Sequence, residues 1–325
     1  MRRALWIAAA LAALVLPLAA GKSFYLQIVA DAYVTAIAVY GLNVILGYAG
    51  LLNLGNAAFF GIGAYSVALL ETKLAWPFWP ALAAGCVASM LMGAFVGVIG
   101  ARTRGHYFAI FTAAVGVMIY TVFSNWQELT GGNLGIVGIP PPPPIGPLNF
   151  ADDRARYYLV LATLAFAIAI VTLARRSLVG LTFVAIADNA ILARAAGIDV
   201  ARARLAAFVL STFLTGLAGG MYAMENGNLG PDASGLDVTF EQLLNLVVGG
   251  IGTIAGPLIG TLLLVGLTQT LQSAHEYRFL IFGPLLVVLV IFFPHGIAGA
   301  FARLRAPRPP HDVAAPAGTA EAALN

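Results

Sequence analysis

Residues 32–70 read AYVTAIAVYGLNVILGYAGLLNLGNAAFFGIGAYSVALL, 39 positions without an Asp, Glu, Lys or Arg. As one helix rising about 1.5 Å per residue, this run would reach roughly 58 Å, against a bilayer hydrocarbon core of about 30 Å. It must break or fold back, and Gly47, Gly50 and Gly55 supply the conformational freedom to do so. Working outward, further charge-free tracts run over 4–21, 74–101, 105–127, 157–174, 205–224, 242–275 and 279–302. The 34-residue tract 242–275 is again too long for one crossing, and Gly249, Gly250, Gly252, Gly256 and Pro257 mark its break. The stretch 129–151 is uncharged too, but Gly131, Gly132 and the run Pro140 to Pro144 cannot continue a helix, so it reads as a loop.

The fold class that follows is an all-α polytopic membrane protein of about 10 transmembrane helices (8–10), with broken or re-entrant segments and both termini cytoplasmic. Composition excludes the soluble alternative: of 325 residues 60% are hydrophobic and only 10% charged, where soluble domains carry roughly 25% charge. Cys86 is the single cysteine, which excludes a disulfide framework or a multi-cysteine metal site within the chain.

Basic residues orient the spans, since cytoplasmic loops retain Lys and Arg. With the N-terminus inside and ten spans, Arg2, Arg3, Arg102, Arg104, Arg175, Arg176, Arg194, Arg202, Arg204, Arg303, Arg305 and Arg308 all face the cytoplasm, 12 of the 17 basic residues. Nine spans would put the basic tail outside. The resulting organisation is a transmembrane domain over 1–302, a cytoplasmic loop over 175–204, an extracytoplasmic loop over 125–156, and a Pro- and Ala-rich disordered cytoplasmic tail over 303–325. Residues 1–21 are either a retained helix or a cleaved leader, because Ala19, Ala20 and Gly21 also suit a cleavage site.

The chemistry absent from the sequence narrows the function. There is no phosphate-binding G-x-x-x-x-G-K-[ST] loop and no H-E-x-x-H pair, and His106, His275, His295 and His311 are scattered. The spans hold almost no titratable groups of the kind that intramembrane enzymes and ion-coupled carriers use. Asp31, the nearest exception, lies at the outer end of its tract and reads as an interfacial helix start or, alternatively, as a substrate contact. The protein is therefore read as no enzyme, with no cofactor and no metal; its energy comes from elsewhere, or it is a passive pore.

The loop 175–204 is too structured for a connector. Leu181 to Ala196 lacks Gly and Pro and predicts a short helix, with Gly180 before it and Gly197 as its stop. Such a helix is either a lever moved by a cytoplasmic partner or an amphipathic element resting on headgroups. Asn43, Asn53, Asn56 and Asn245 place amides at membrane depth, where an unsatisfied amide costs a few kcal/mol. They are candidates for the translocation path, or equally for interhelical contacts. Gly93 with Gly97 and Gly216 with Gly220 lie four apart, the spacing of close helix packing, while Gly252, Gly256 and Gly260 could expose half-helix ends to a cavity. The Pro-rich outer loop, with Glu225 to Glu241, either docks an external partner or only spans the gap.

Four stretches carry a resemblance. GYAGLLNLGNAAFFGIGAY (47–65), RTRGHYFAI (102–110), GLTFVAIADNAILARAAGID (180–199) and NLVVGGIGTIAGP (245–257) together resemble, in order, the branched-chain amino acid ABC permease family, the LivM-like membrane subunits. The resemblance implies a multi-pass bacterial inner-membrane permease subunit of an ABC importer that moves branched-chain or other neutral amino acids inward. The partners it implies are a second homologous permease, two cytoplasmic ABC ATPase subunits, a periplasmic substrate-binding protein and the lipid bilayer, with no nucleic acid. It assigns Asp188, Asn189, Arg194 and Gly197 to the ATPase-coupling segment, and departs from the family pattern at Ala187 and Ala190, where charged residues are common. A passive channel or ion-coupled carrier for small neutral solutes is the alternative, and urea, amides and aromatic acids remain open as substrates.

Overall fold

The computed structural model describes residues 13–17, 23–100, 106–144, 146, 149–270 and 296. The tract 279–302, the tail 303–325 and most of 1–21 lie outside the described residues, as does the question of a cleaved leader. The described chain is a mostly helical bundle. In order its longer helices are α1 (Ser23–Leu42), extended by a π-helical turn (Asn43–Tyr48), α2 (Asn56–Leu74), α3 (Phe78–Gly100), α4 (His106–Asn125), α5 (Asp153–Arg176), α6 (Leu178–Ala195), α7 (Val200–Asn226), α8 (Leu236–Gly249) and α9 (Gly256–Thr270). Seven described helices, counting α6, are long and apolar enough to cross a membrane, and the stretch Gly256–Thr268 is apolar but shorter.

Each helix end has a local cause. Asp153 sits in the first turn of α5 and Arg175 and Arg176 in its last, opposite to the partial charges of the helix ends. The Asp199 carboxylate caps α7 by accepting from the amides of Ala201 and Arg202, both at 3.1 Å. Both long tracts break where their glycines cluster: the first leaves helical geometry between Tyr48 and Asn56, the second between Gly249 and Gly256.

α7 is the hub, packed against α1, α2 and α3. No hydrophobic driving force joins helices within lipid, so close van der Waals approach must hold them, and small residues permit it. A Cβ on Gly63 of α2 would strike the Gly216 backbone of α7, and one on Gly219 would strike the Phe60 carbonyl. Gly93 and Gly97 of α3 press on Thr212 and on Leu205 with Phe208, and Gly216 and Gly220 face Ser89 and Leu82, so both glycine pairs pack helices within this chain. Phe208 meets Phe59 and Phe108 edge-on at centroid distances of 5.4 and 5.6 Å.

The stretch 129–151 contains no long helix among its described residues. It carries a two-residue ladder, β1 (Ile136–Val137) antiparallel to β2 (Asn228–Leu229), and the amides of Gly138 and Ile139 both donate to the Gly227 carbonyl at 3.0 Å. The loops over 125–156 and 225–241 are thus joined to each other. Asp31 is not at a helix start: it lies inside α1, where the Asn226 amide of α7 meets its carboxylate at 3.5 Å. The charge-free criterion truncates α1 at Asp31, whereas the helix runs back to Ser23.

Candidate functional site

Irregular backbone at membrane depth survives only where other protein groups complete its hydrogen bonds. The structure meets this need by making the two broken tracts cross. Asn43 Nδ2 donates to the Thr253 carbonyl at 2.9 Å, and Asn43 Oδ1 accepts from the Gly252 amide at 2.8 Å. The Tyr40 hydroxyl donates to the Ile254 carbonyl at 2.7 Å. Gly47 leaves room for the crossing, since a Cβ there would stand 2.7 Å from the Gly252 nitrogen. The backbone of the second break is therefore held by α1 and its π-helical turn, and Gly252 (φ 74°) adopts the left-handed conformation that favours glycine.

A second cluster closes the first break onto α4, α7 and α8. Asn53 Oδ1 accepts from the Gly55 amide at 3.0 Å while its Nδ2 reaches Asn56 Oδ1 at 3.4 Å. Asn56 Nδ2 donates to Gln242 Oε1 at 2.8 Å, and the Thr215 hydroxyl lies 3.1 Å from Asn56 Oδ1. Thr112 and Thr239 accept from the amides of Leu54 and Ala57 at 3.1 and 3.0 Å, so side chains from α4 and α8 satisfy backbone donors at the start of α2 that would otherwise be orphaned. Asn43, Asn53, Asn56 and Asn245 are all 0% exposed.

Asn245 differs from the other three asparagines. Among the described residues neither its Nδ2 nor its Oδ1 has a partner, although it is fully buried on α8. Its backbone carbonyl packs against Gly260 of α9, where a Cβ would collide with it. Of the four asparagines, the structure brings Asn53 and Asn56 together, joins Asn43 to the distant second break, and leaves the Asn245 amide unengaged. Tyr40, Thr112, Thr215, Thr239 and Gln242 escaped the sequence reading, although Ser211 with Thr215 and Thr239 with Gln242 lie four and three apart, on one helix face each.

The segment expected as one helix over 181–196 begins earlier and is bent. α6 spans Leu178–Ala195, but Asn189 has φ −155° and ψ 100° inside it. Asn189 Oδ1 accepts from the amides of Ile191 and Leu192, both at 3.0 Å, which caps a second short helix and stops the first. The piece before the bend, Leu178 to Asp188, is about 16 Å long at 1.5 Å per residue, half a hydrocarbon core; α6 is no unbroken span despite its apolar composition. Gly197, with φ 87°, ends it as expected. Asp188, Asn189, Arg194 and Gly197 are all exposed, and beside them Ile191 and Leu192 stand 83% and 67% exposed. α6 also touches the first break: a Cβ on Gly50 would stand 3.1 Å from Ala187 Cβ. Arg175, just before α6, lies over the Tyr48 ring at 5.4 Å. Among the described residues no three His, Cys, Asp or Glu side chains converge as metal ligands would.

A family profile described as branched-chain amino acid transport system, permease component, matches residues 24–290. The chain is 30% identical over 280 residues to the high-affinity branched-chain amino acid transport system permease protein LivM of Salmonella typhimurium, covering 79% of this chain and 66% of that protein. The LivM protein of Escherichia coli gives the same figures. The LivH permease protein of the same transport system in Escherichia coli is 25% identical over 290 residues, 81% of this chain and 91% of that protein. The chain thus spans just under two thirds of the length of the two LivM proteins. No solved structure matches it.

Proposed function

Since the chain belongs to the permease family of branched-chain amino acid transport systems, we propose that it is the membrane-spanning permease subunit of an ABC importer moving branched-chain or other neutral amino acids inward. Two cytoplasmic ATPases supply the energy, a second homologous permease completes the path, and a periplasmic binding protein delivers substrate across the bacterial inner membrane. The chain is a multi-pass, helical membrane protein, and in this reading it has about ten spans, both termini and the loop 175–204 inside, and the joined outer loops towards the binding protein.

The observation that carries the reading is the contact of α6 with the first helix break. Ala187 packs on Gly50, and three residues away Gly47 packs on Gly252 of the second break. A partner that displaces α6 therefore pushes on the irregular backbone where the two breaks cross, and alternating access would follow from a second arrangement of that backbone. Asp188, Asn189, Arg194 and Gly197 form the coupling segment: Asn189 sets its bend, Gly197 its end, and Asp188 and Arg194 its exposed polar rim.

Of the four asparagines we assign Asn245 to the translocation path. Asn43, Asn53 and Asn56 engage their amides at the breaks, whereas the Asn245 amide meets no partner among the described residues; an unpaired buried amide costs about 1–3 kcal/mol and finds compensation in a passing polar substrate or in water.

The reading is tested by uptake of labelled leucine into vesicles that hold the complete transporter. Uptake requires ATP and both ATPases, and stops when either is withheld; downhill flux through the permease alone would replace the importer with a channel. In the same vesicles Asn245→Leu leaves membrane abundance unchanged and lowers uptake at least about tenfold, the factor that about 1.4 kcal/mol of lost interaction represents. Unaltered uptake by that variant removes Asn245 from the path.

A further inference from the structure

One concave surface of the bundle belongs neither to the helix breaks nor to the coupling segment. Between α3 and α7 runs an open groove of about 530 Å³, walled by Met90, Leu205, Val209 and Phe213, with Arg202 at one end. It is a shallow, open groove, and among the described residues Arg202 is the charged one in its lining. The groove follows α7 from Arg202 to Phe213, eleven residues or about 16 Å of rise. One leaflet contributes about 15 Å of hydrocarbon, so with Arg202 at the headgroup level the groove reaches to the bilayer centre.

Side-chain size shows which occupant suits it. Helix contacts within this chain use small residues, and on α3 these are Gly85, Gly93 and Gly97, turned towards α2 and α7. The groove itself is lined by Met90, Leu205, Val209, Leu210 and Phe213, with Ala206 as its one small residue among the described residues. Large apolar side chains with no glycine among them suit fluid acyl chains better than a close-packed partner helix.

Arg202 supplies the polar end. Its side chain is 89% exposed, and its Nε meets Asp199 Oδ2 at 3.0 Å. Because the pair uses Nε, the terminal N–H groups at this end of the groove remain available as donors, chemistry suited to phosphate oxygens. Asp199 also caps α7, so the carboxylate's charge is shared between the helix end and Arg202 rather than opposing an incoming anion alone. We propose that this groove binds an anionic phospholipid, one acyl chain lying against Met90, Leu205, Val209 and Phe213 and the phosphate against Arg202. The site is independent of the transport reading and would persist if the substrate assignment failed.

The test is native mass spectrometry of the full chain in detergent, offered phosphatidylglycerol or phosphatidylcholine with identical acyl chains. Phosphatidylglycerol is retained about fivefold over phosphatidylcholine, the preference that one interfacial arginine confers. Arg202→Gln brings the ratio to about one, and Arg202→Lys, which keeps the charge, preserves most of it. Ala206→Trp, placed at an exposed lining position, lowers retention of both lipids. Equal retention by the unaltered chain, or a ratio that Arg202→Gln does not move, overturns the proposal. So does a photo-crosslinker at position 206 that captures a protein neighbour in native membranes instead of lipid, since that outcome makes the groove a subunit interface.

Discussion

Replacing Asn56 by leucine removes most of the folded protein from the membrane, and replacing Gln242 by leucine in the same chain restores part of it. Asn56 is the centre of the cluster that closes the first break: its Nδ2 serves Gln242 at 2.8 Å and its Oδ1 faces Thr215 at 3.1 Å and Asn53 at 3.4 Å. Interhelical hydrogen bonds in membrane proteins average only about 0.6 kcal/mol, with a maximum near 1.7, so the bonds themselves do not decide the outcome. The larger effect is on the groups left behind. With leucine at 56 the Gln242 carbonyl loses its donor in a fully buried site, which costs about 1–3 kcal/mol for each stranded group. Thr215 suffers less, because its hydroxyl also reaches the Ser211 carbonyl at 2.9 Å. A total of roughly 2–4 kcal/mol is expected, a large share of the 5–15 kcal/mol that stabilises an ordinary domain. The double variant strands no amide at 242, so thermal unfolding followed by size-exclusion chromatography should place it between Asn56→Leu and the unaltered protein. If the double variant is less stable than both single variants, shape and not hydrogen bonding governs the junction.

That junction shows how far the sequence can be read. The two breaks were legible, because runs of glycine within tracts too long for one crossing leave no other place for the chain to turn. Their meeting was not, since Asn43 and Thr253 are joined across some 210 positions and nothing local in either tract refers to the other. The asparagines stood out because amides are costly in lipid, while Thr112, Thr215 and Thr239 did not, because a threonine in a helix satisfies its own hydroxyl on the preceding turn and is unremarkable in sequence. Thr112 does so on the Ala109 carbonyl at 3.0 Å while accepting from Leu54, and that second role exists only in the folded state. The bend at Asn189 was readable in principle. Asp188 and Asn189 are both residues that cap helices, and absence of Gly and Pro is a weaker sign of continuity than presence of a cap is of interruption. The ladder between Ile136 and Leu229 is two residues long, too short to leave a periodic signal.

Replacing Ile191 and Leu192 together by glutamate stops ATP-driven uptake while leaving the amount of folded permease in the membrane unchanged. Both side chains are exposed, at 83% and 67%, so little within the chain depends on them and charge there costs the fold almost nothing. Burying each against a partner contributes about 1.5–3 kcal/mol, so losing both lowers affinity for the ATPase subunits by a factor on the order of 100 to 10,000, before the cost of burying two carboxylates is added. Co-purification of the ATPases with a tagged permease measures the binding, and leucine uptake measures the consequence. Asn189→Ala probes the same surface differently: it keeps both apolar residues but removes the side-chain oxygen that caps the second piece of α6, a loss of about 0.5–2 kcal/mol locally. Straightening α6 re-aims Ile191 and Leu192 and shifts Ala187 from Gly50. Binding should therefore weaken less than with the glutamates while uptake falls disproportionately, because a partner that still docks now pushes on a lever no longer seated against the first break. Should the two variants lose binding and uptake in the same proportion, α6 is a docking site alone, and the force that opens the path enters the bundle elsewhere.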